Sequence, residues 1–578
     1  MNREGRRLAL LGLMLVMLWL GLAARLAQIH IVRHRPYAAK ADSLHWTKLA
    51  LMGERGRILD RMGRPLALNR LECSVRILPQ YVRDRDSLAA LLARFGLGTQ
   101  EENRRLLAER DRHFWFRRHV DYATGESLRR ELVRQRFDNC VVVDDDHRRV
   151  YPYGEQCATL VGCAGEDHGL SGVEAEFDSV LAGRPGWMML HRAATGRRFP
   201  YPNAPAANPK RGGDVTLTVD ADVQQVVFAA IREGVIRTRA HKGTAVVLDA
   251  RSGELLAMAD YPSFDPGRYW EFPPERYKPA AACDNVEPGS SFKLAICAAA
   301  LEDRQAEGLA DEHYNVSAAF LPIGAYKIHD THNNGVLSFD SIFIQSSNMG
   351  CALLSFRVRP SLFHQVVRDF GFAAATGIGI PGEASGAIDP PAKLNRLRFA
   401  NIAFGQGVTV TLLQLAAAYM CVANDGRYLK PYMISSIRRD GRELMRGRRT
   451  EVRQAISRET AVRMQDILAR AVDHGTGTMA RIDGTEVCGK TGTAQKCLPG
   501  GGYSMTASRM SFVGFFPRRE PRYVVAVLLD EPKTDRFAST SACPVFSAIG
   551  SRLLDLERMR ANCQFPVPSW RLEVGDSR

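Results

Sequence analysis

The chain has 578 residues, 45% hydrophobic and 24% charged, which is enough apolar mass for several domains and excludes a disordered or fibrous composition. A net charge of +15 allows an anionic partner. The sequence has no zinc-finger spacing, no aromatic-basic RNA motif and no Lys/Arg block, so the basic balance reads as an Arg-rich solvated surface with no nucleic-acid partner.

At the N-terminus, Leu8 to Ala24 is free of charge and follows Arg3, Arg6 and Arg7. The run is at the short end for a spanning helix and near the length of a secretory signal, with Gly21-Leu22-Ala23 as a small-residue cleavage candidate. It continues in helical pattern through Arg25-Leu26-Ala27-Gln28-Ile29, which favours an uncleaved transmembrane anchor over 8–28 behind a short cytoplasmic tail, 1–7. Arg25, Arg33, Arg35 and Lys40 oppose the positive-inside rule, so charge does not set the orientation.

Residues 45–235 are expected to form one α+β domain. Glu101 to Arg118 has a charged helical pattern, Cys140-Val141-Val142-Val143 a strand pattern, and Gly183-Arg184-Pro185-Gly186 marks a turn. A linker is expected near 199–214, rich in Pro, Asn, Ala and Gly. Val215 to Val219 reads as a strand and Asp222 onward as a helix. A second domain is expected over 240–558. It opens on a hairpin, Thr244–Asp249 and Leu255–Ala259, and has helices over 411–424 and 457–473. It closes on strands over 510–516 and 522–529. Helices enclosed between strands imply α+β. Residues 559–578 form a tail. Twelve cysteines, Cys73 to Cys563, show no two-residue gap of a zinc or redox motif, and several, such as Cys297 and Cys421, sit in apolar runs as small hydrophobes.

Only 12 of the 78 basic residues are lysine. Two of them occur where chemistry would need a deprotonatable cation, which arginine cannot supply. Lys293 ends Glu287-Pro288-Gly289-Ser290-Ser291-Phe292-Lys293, and Ser290 is the only serine with Lys at the third following position. A helix opening at Ser290 would bring its Oγ near Lys293 Nζ, a serine nucleophile beside a lysine base. An N-capping serine with an unrelated lysine is the bland alternative. Gln345-Ser346-Ser347-Asn348 follows, with a hydroxyl that can relay a proton and an amide that both donates and accepts. Lys490-Thr491-Gly492-Thr493 comes last, offering a cation and hydroxyls for a carboxylate.

Gly484 to Thr491 also fits the phosphate-loop pattern, but no buried strand precedes it and no helix follows. His329-Asp330-Thr331-His332 offers two imidazoles and a carboxylate on a polar loop, a weak metal candidate.

Ser-x-x-Lys, Ser-x-Asn and Lys-Thr-Gly in this order resemble the penicillin-binding and serine β-lactamase superfamily. Arg55-Gly56-Arg57-Ile58-Leu59-Asp60-Arg61-Met62-Gly63 and Gly169-Leu170-Ser171-Gly172-Val173-Glu174 with Phe177, Leu181 and Gly183 narrow the resemblance to class B penicillin-binding proteins. Phe404-Gly405-Gln406-Gly407-Val408 and Gly475-Thr476-Gly477-Thr478 also fit. Ser347 stands where β-lactamases carry Asp. The sequence lacks the acidic glycosyltransferase signature of class A enzymes.

The resemblance implies an elongated pedestal, or dimerisation-type, domain behind the anchor. It implies a transpeptidase domain made of an antiparallel sheet with a helical subdomain. Ser290 would attack the penultimate D-alanine carbonyl of a stem peptide. Lys293 would take its proton. Backbone N–H groups of Ser290 and Thr493 would form the oxyanion hole. Ser346 would relay a proton, Asn348 would hold the substrate amide, and Lys490, Thr491 and Thr493, with Gly492 between, would bind the terminal carboxylate. No metal or cofactor is implied. Implied partners are D-Ala-D-Ala donor and amine acceptor stems, β-lactams, the membrane, a multi-pass glycan polymerase and other division proteins. The implied place is the bacterial cytoplasmic membrane, N-terminus inside and catalytic domain outside. Glu287-Pro288-Gly289-Ser290 favours the division type, while Leu66-Ala67-Leu68-Asn69-Arg70 is closer to the elongation type. A sporulation relative, a β-lactam sensor and an idle scaffold stay open as alternatives.

Overall fold

A computed structural model describes residues 3–192, 198–200, 205–303, 305, 308–497 and 502–562. The chain divides into two compact units. The first comprises 1–55, 70–148 and 182–212, and the second 56–69, 149–181 and 213–578.

The first unit opens on the helix Arg3–Ala27, which carries on through a wider turn to Val32. Arg7–Val32 is long and apolar enough to cross a membrane, with a mean hydropathy of 2.1 over its best window and an exposed surface. The strand Trp46–Leu51 pairs antiparallel with Gly186–Arg192, which also pairs Arg198–Pro200 and Ala206–Ala207. The stretch expected as a linker thus contributes strand residues, and its positions 201–204 lie outside the described residues.

Helices Arg85–Arg94, Gln100–Glu109 and Tyr122–Arg134 pack on a second small sheet around Val75, Ile77, Leu92, Phe116 and Leu128. The helix expected to reach Arg118 stops at Glu109. Phe114–Asp121 is a strand, because Phe114 and Phe116 point inward while Trp115 points out, a period of two that outweighs the charged composition.

The second unit is built on a five-stranded antiparallel sheet. In spatial order its strands are Leu255–Tyr261, Lys242–Asp249, Tyr523–Asp530, Tyr503–Phe516 and Cys488–Cys497. Both faces are covered, so its strands read as near-continuous apolar runs. Ala245, Val247, Val525 and Val527 meet helices Ala221–Thr238 and Ala542–Asn562 on one face. Val246, Leu248, Val524 and Ala526 meet a helical layer on the other, which includes Lys293–Glu302 and the wholly buried Leu412–Ala423. The expected boundary at 235 therefore needs correction. Helix Ala221–Thr238 belongs to the second unit, because its apolar face (Val227, Ile231, Val235) is buried on this sheet.

Eleven of the twelve cysteines are described; all are free, and ten are buried.

An ionic clamp joins three distant stretches of the second unit. Asp60, with no exposed surface, accepts from the backbone N–H of Met62, Arg64 and Ala221. Arg64 reaches Asp60, Asp220 and Asp222, and Arg560 on the last helix reaches Asp220 and Asp222. Burial alone would raise the Asp220 carboxyl. Hydrogen bonds and charge from Arg560, aided by the Asp222 N–H and by Arg64, hold it below the ordinary 3.8. A carboxyl lowered on folding stabilises above its unfolded value, and that stabilisation is lost as pH falls through the folded value. Arg560→Ala should therefore cost about 1–2 kcal/mol at pH 7, since Asp220 stays buried while the arginine is half exposed. It should also flatten the loss of Tm as pH falls below about 4. Thermal melts across that range measure both.

Candidate active site

The turn Pro288-Gly289 carries Ser290. Gly289 has φ +56°, and a Cβ there would lie 2.2 Å from the carbonyl oxygen of Thr493. Gly405, φ +88°, comes as close on the other side, where a Cβ would lie 2.0 Å from the Gly289 oxygen. Glycine at both places lets three backbones stack without side chains between them. Ser291 Oγ donates to Pro288 O (2.8 Å), and the buried Tyr419 hydroxyl donates to Ser291 O (3.0 Å), which fixes the turn from beneath. Phe292 packs against Phe363 and Phe372.

Ser290, half-buried, lies in a single 3-10 turn over Gly289–Phe292, and the α-helix begins only at Lys293. The expectation that Ser290 opens the α-helix and bonds to Lys293 is modified by this geometry. Lys293 is 1% exposed, and its Nζ donates to Ser346 O (2.6 Å), Ser346 Oγ (3.2 Å) and Asn348 Oδ1 (2.9 Å), with no hydrogen bond to Ser290 among the described residues. A buried ammonium takes every acceptor in reach. All three come from the serine and asparagine of the second motif, so the first two motifs meet in one hydrogen-bonded set.

Ser346 sits between the helices Phe339–Ile344 and Asn348–Ser355, and Asn348 opens the second. Ser347 N-caps the second helix and accepts from Gly350 N–H (2.8 Å). Ser346 adopts φ +62°, a left-handed conformation that favours glycine and that aims both its carbonyl and its hydroxyl at Lys293.

Lys490, Thr491, Gly492 and Thr493 lie on Cys488–Cys497, the edge strand of the sheet. No helix follows Lys490-Thr491, as a phosphate loop would require. A Cβ on Gly492 would meet Ser511 Oγ at 2.3 Å and Pro288 O at 2.8 Å, so this strand also runs directly against the turn of Ser290. Lys490 Nζ donates to Thr476 Oγ1 (3.1 Å) and Thr491 Oγ1 (3.0 Å), and those two hydroxyls are 2.7 Å apart. Lys490 and Thr491 are buried and Thr493 is exposed. Burial pushes the Lys293 ammonium down from its ordinary value. Burial, then the charge of Lys293, brings Lys490 down to about 7.

Nothing local in Gly475-Thr476-Gly477-Thr478 announces the contact of Thr476 with Lys490. Asp330, weighed as a metal ligand, instead accepts from Ser347 Oγ and from the N–H of Asn348 and Met349.

Residues 243–551 match the penicillin binding protein transpeptidase domain, and 51–217 match the penicillin-binding protein dimerisation domain. The chain belongs to the class B penicillin-binding proteins. It is 36% identical over 423 residues to penicillin-binding protein PbpB of Mycolicibacterium smegmatis, a match that covers 70% of this chain and 64% of that relative. The chain thus spans just under two thirds of the length of that relative. It is 30% identical over 559 residues to "Probable peptidoglycan D,D-transpeptidase PbpC" of Pseudomonas aeruginosa, covering 95% and 94% of the two chains. Among solved structures, penicillin binding protein 3 of Mycobacterium tuberculosis complexed with aztreonam is 28% identical with a TM-score of 0.68, covering 88% of this chain and 97% of that one.

In this class B chain the stacking at Gly289 leaves no room for a Cβ. Gly289→Ala should slow reaction with a fluorescent penicillin by about tenfold or more, since it adds left-handed strain and a backbone clash of the kind worth about 1–3 kcal/mol. Labelling time courses check this, and a rate within twofold of the parent would contradict the stacking argument.

Proposed function

We propose that this protein is a peptidoglycan D,D-transpeptidase that cross-links stem peptides through an acyl-enzyme on Ser290. The observation that carries this is the buried Lys293 ammonium. It is held by the serine and asparagine of the second motif, one helical turn from Ser290, with the strand of Lys490 against the same turn. The printed name of the Pseudomonas relative supports the same activity.

Lys293 in its neutral form takes the Ser290 hydroxyl proton as Oγ bonds to the penultimate D-alanine carbonyl. Backbone N–H groups of Ser290 and Thr493 face the oxyanion. Ser346, bonded to Lys293, passes a proton to the departing D-alanine amine as the peptide C–N bond breaks. The side-chain amide of Asn348 holds the stem peptide. Lys490, Thr491 and Thr493 bind its terminal carboxylate. The amine of a neighbouring stem then attacks the ester, Ser290 leaves and regains its proton, and a peptide cross-link remains. The exposed edge of Cys488–Cys497 suits an extended peptide that adds alongside it. β-Lactams acylate the same hydroxyl.

The apolar helix near the N-terminus anchors the chain in a bacterial cytoplasmic membrane, with the catalytic unit outside. Septal wall synthesis, alongside a glycan polymerase and other division proteins, is the role we assign. A fluorescent fusion should gather at mid-cell; even labelling along the side wall would instead favour elongation.

A fluorescent penicillin should label Ser290, and Ser290→Ala should abolish labelling. Label retained by that variant would end the assignment. The two lysines titrate as a coupled pair. The base must be neutral while the carboxylate site must keep its charge, so the competent form carries its one proton on Lys490. The acylation rate should rise with pH as the first proton leaves and fall as the second does. A flat profile between about pH 5.5 and 9.5 would contradict the two roles.

A further inference from the structure

We propose that Asp330 is a positioning residue that holds Ser346 and Asn348 in the arrangement that grips Lys293. The inference rests on the transpeptidase reading but makes its own claim about a carboxylate outside the three motifs.

Asp330 lies on the loop before the strand Val336–Ser338, far in sequence from the nucleophile. One carboxylate oxygen accepts from Asn348 N–H (2.6 Å) and Met349 N–H (3.0 Å), the first two backbone donors of the helix Asn348–Ser355. The other accepts from Ser347 Oγ (2.6 Å) and Asn334 Nδ2 (3.0 Å). Ser347 has one hydroxyl proton, and Asp330 takes it. Its remaining lone pairs are then turned to Gly350 N–H, the capping bond of the same helix. The carboxylate thus satisfies three groups in the two residues after Ser346 and the start of the next turn, and its charge suits a helix N-terminus.

The consequence falls on Ser346. Its φ of +62° is disfavoured for a residue with a Cβ. The conformation persists because both sides are pinned. Behind it, Ser346 N–H and Ser347 N–H donate to Phe343 O and Ile342 O. Ahead of it, Asp330 holds Ser347, Asn348 and Met349. Without the forward pin the chain would relax from the left-handed region. The carbonyl of Ser346 and the amide of Asn348 would swing off Lys293. Asn348 Nδ2 is tied to the same loop, through His329 O (3.2 Å).

The charge of Asp330 also acts on the lysine. The charged and titratable groups facing Lys293 are Cys351 on the following helix, Asp330 on its loop and Lys490 on the edge strand. Of these, Asp330 is the carboxylate, and it favours the protonated ammonium. A residue that only stiffened the loop would not move the titration of Lys293.

Two variants separate shape from charge. Asp330→Asn keeps an acceptor for the two backbone N–H groups and removes the charge. Asp330→Ala removes both. With a fluorescent penicillin, Asp330→Ala should lose about 100-fold in acylation rate at pH 7.5, the size of a displaced catalytic constellation. Asp330→Asn should lose less, and the acid limb of its pH profile should move to lower pH, so that its rate relative to the parent climbs as pH falls. The Lys293 titration, followed by NMR of 13Cε-labelled lysine, should move the same way. That spectrum needs no turnover, and 12 lysines keep it tractable. A Lys293 titration unchanged in Asp330→Asn, or acylation by a folded Asp330→Ala within threefold of the parent, overturns the inference. An unlabelled parent chain with a shifted Lys293 titration would overturn the proposed activity and leave the positioning role standing. If Asp330→Ala does not fold, the Asp330→Asn titration decides alone.

Discussion

A lysine ammonium taken out of water and given no carboxylate in hydrogen-bond contact among the described residues is the constraint around which the second unit is arranged. Lys293 has a carbonyl, a hydroxyl and an amide oxygen within reach, all neutral acceptors. A carboxylate in direct contact would make a stable ion pair and fix the proton on the amine. Neutral acceptors compensate burial only in part, and the outcome is an ammonium that gives up its proton more easily than a free lysine. An arginine in the same place would stay charged, which explains why a chain that otherwise uses arginine keeps lysine here. The same burial, with the first lysine's charge added, acts on Lys490.

Positioning follows from close backbone approach. The loop at Gly405, the turn at Gly289 and the strand at Gly492 and Thr493 lie one on another, at distances that exclude a Cβ. Stacked backbones have few soft degrees of freedom, so the strand of Lys490 and the turn of Ser290 hold their separation better than two side chains could. Beneath the turn, Tyr419 reaches up from a helix buried on all sides. Ser290 therefore stands on the unit's core, with the edge strand Cys488–Cys497 beside it.

Much of this was legible in the sequence for local reasons. The hairpin 242–261, the helices 412–423 and 458–473 and the closing strands follow from apolar runs between turn residues, and these are short-range signals. The three motifs were legible because each is contiguous. Where composition and periodicity disagreed, as at Phe114–Asp121, alternation was the better guide, since burial responds to where side chains point and not to how many charges a segment holds. The helix Ala221–Thr238 was legible as a helix, but its unit was not, because the sheet it covers comes from strands that occur later in the chain.

From its sequence alone this protein had its elements, its family and the three motifs around Ser290, Ser346 and Lys490 legible, because these depend on neighbours a few residues apart. Tertiary structure alone decided that Lys293 turns to Ser346 and Asn348, that Thr476 contacts Lys490, and that Asp330 accepts from the start of the helix Asn348–Ser355. Each of those is a contact between segments 14 to 55 residues apart along the chain. Hydrogen bonds of that kind leave no periodicity and no spacing for a sequence to display; they exist only once burial has removed water as the competing partner.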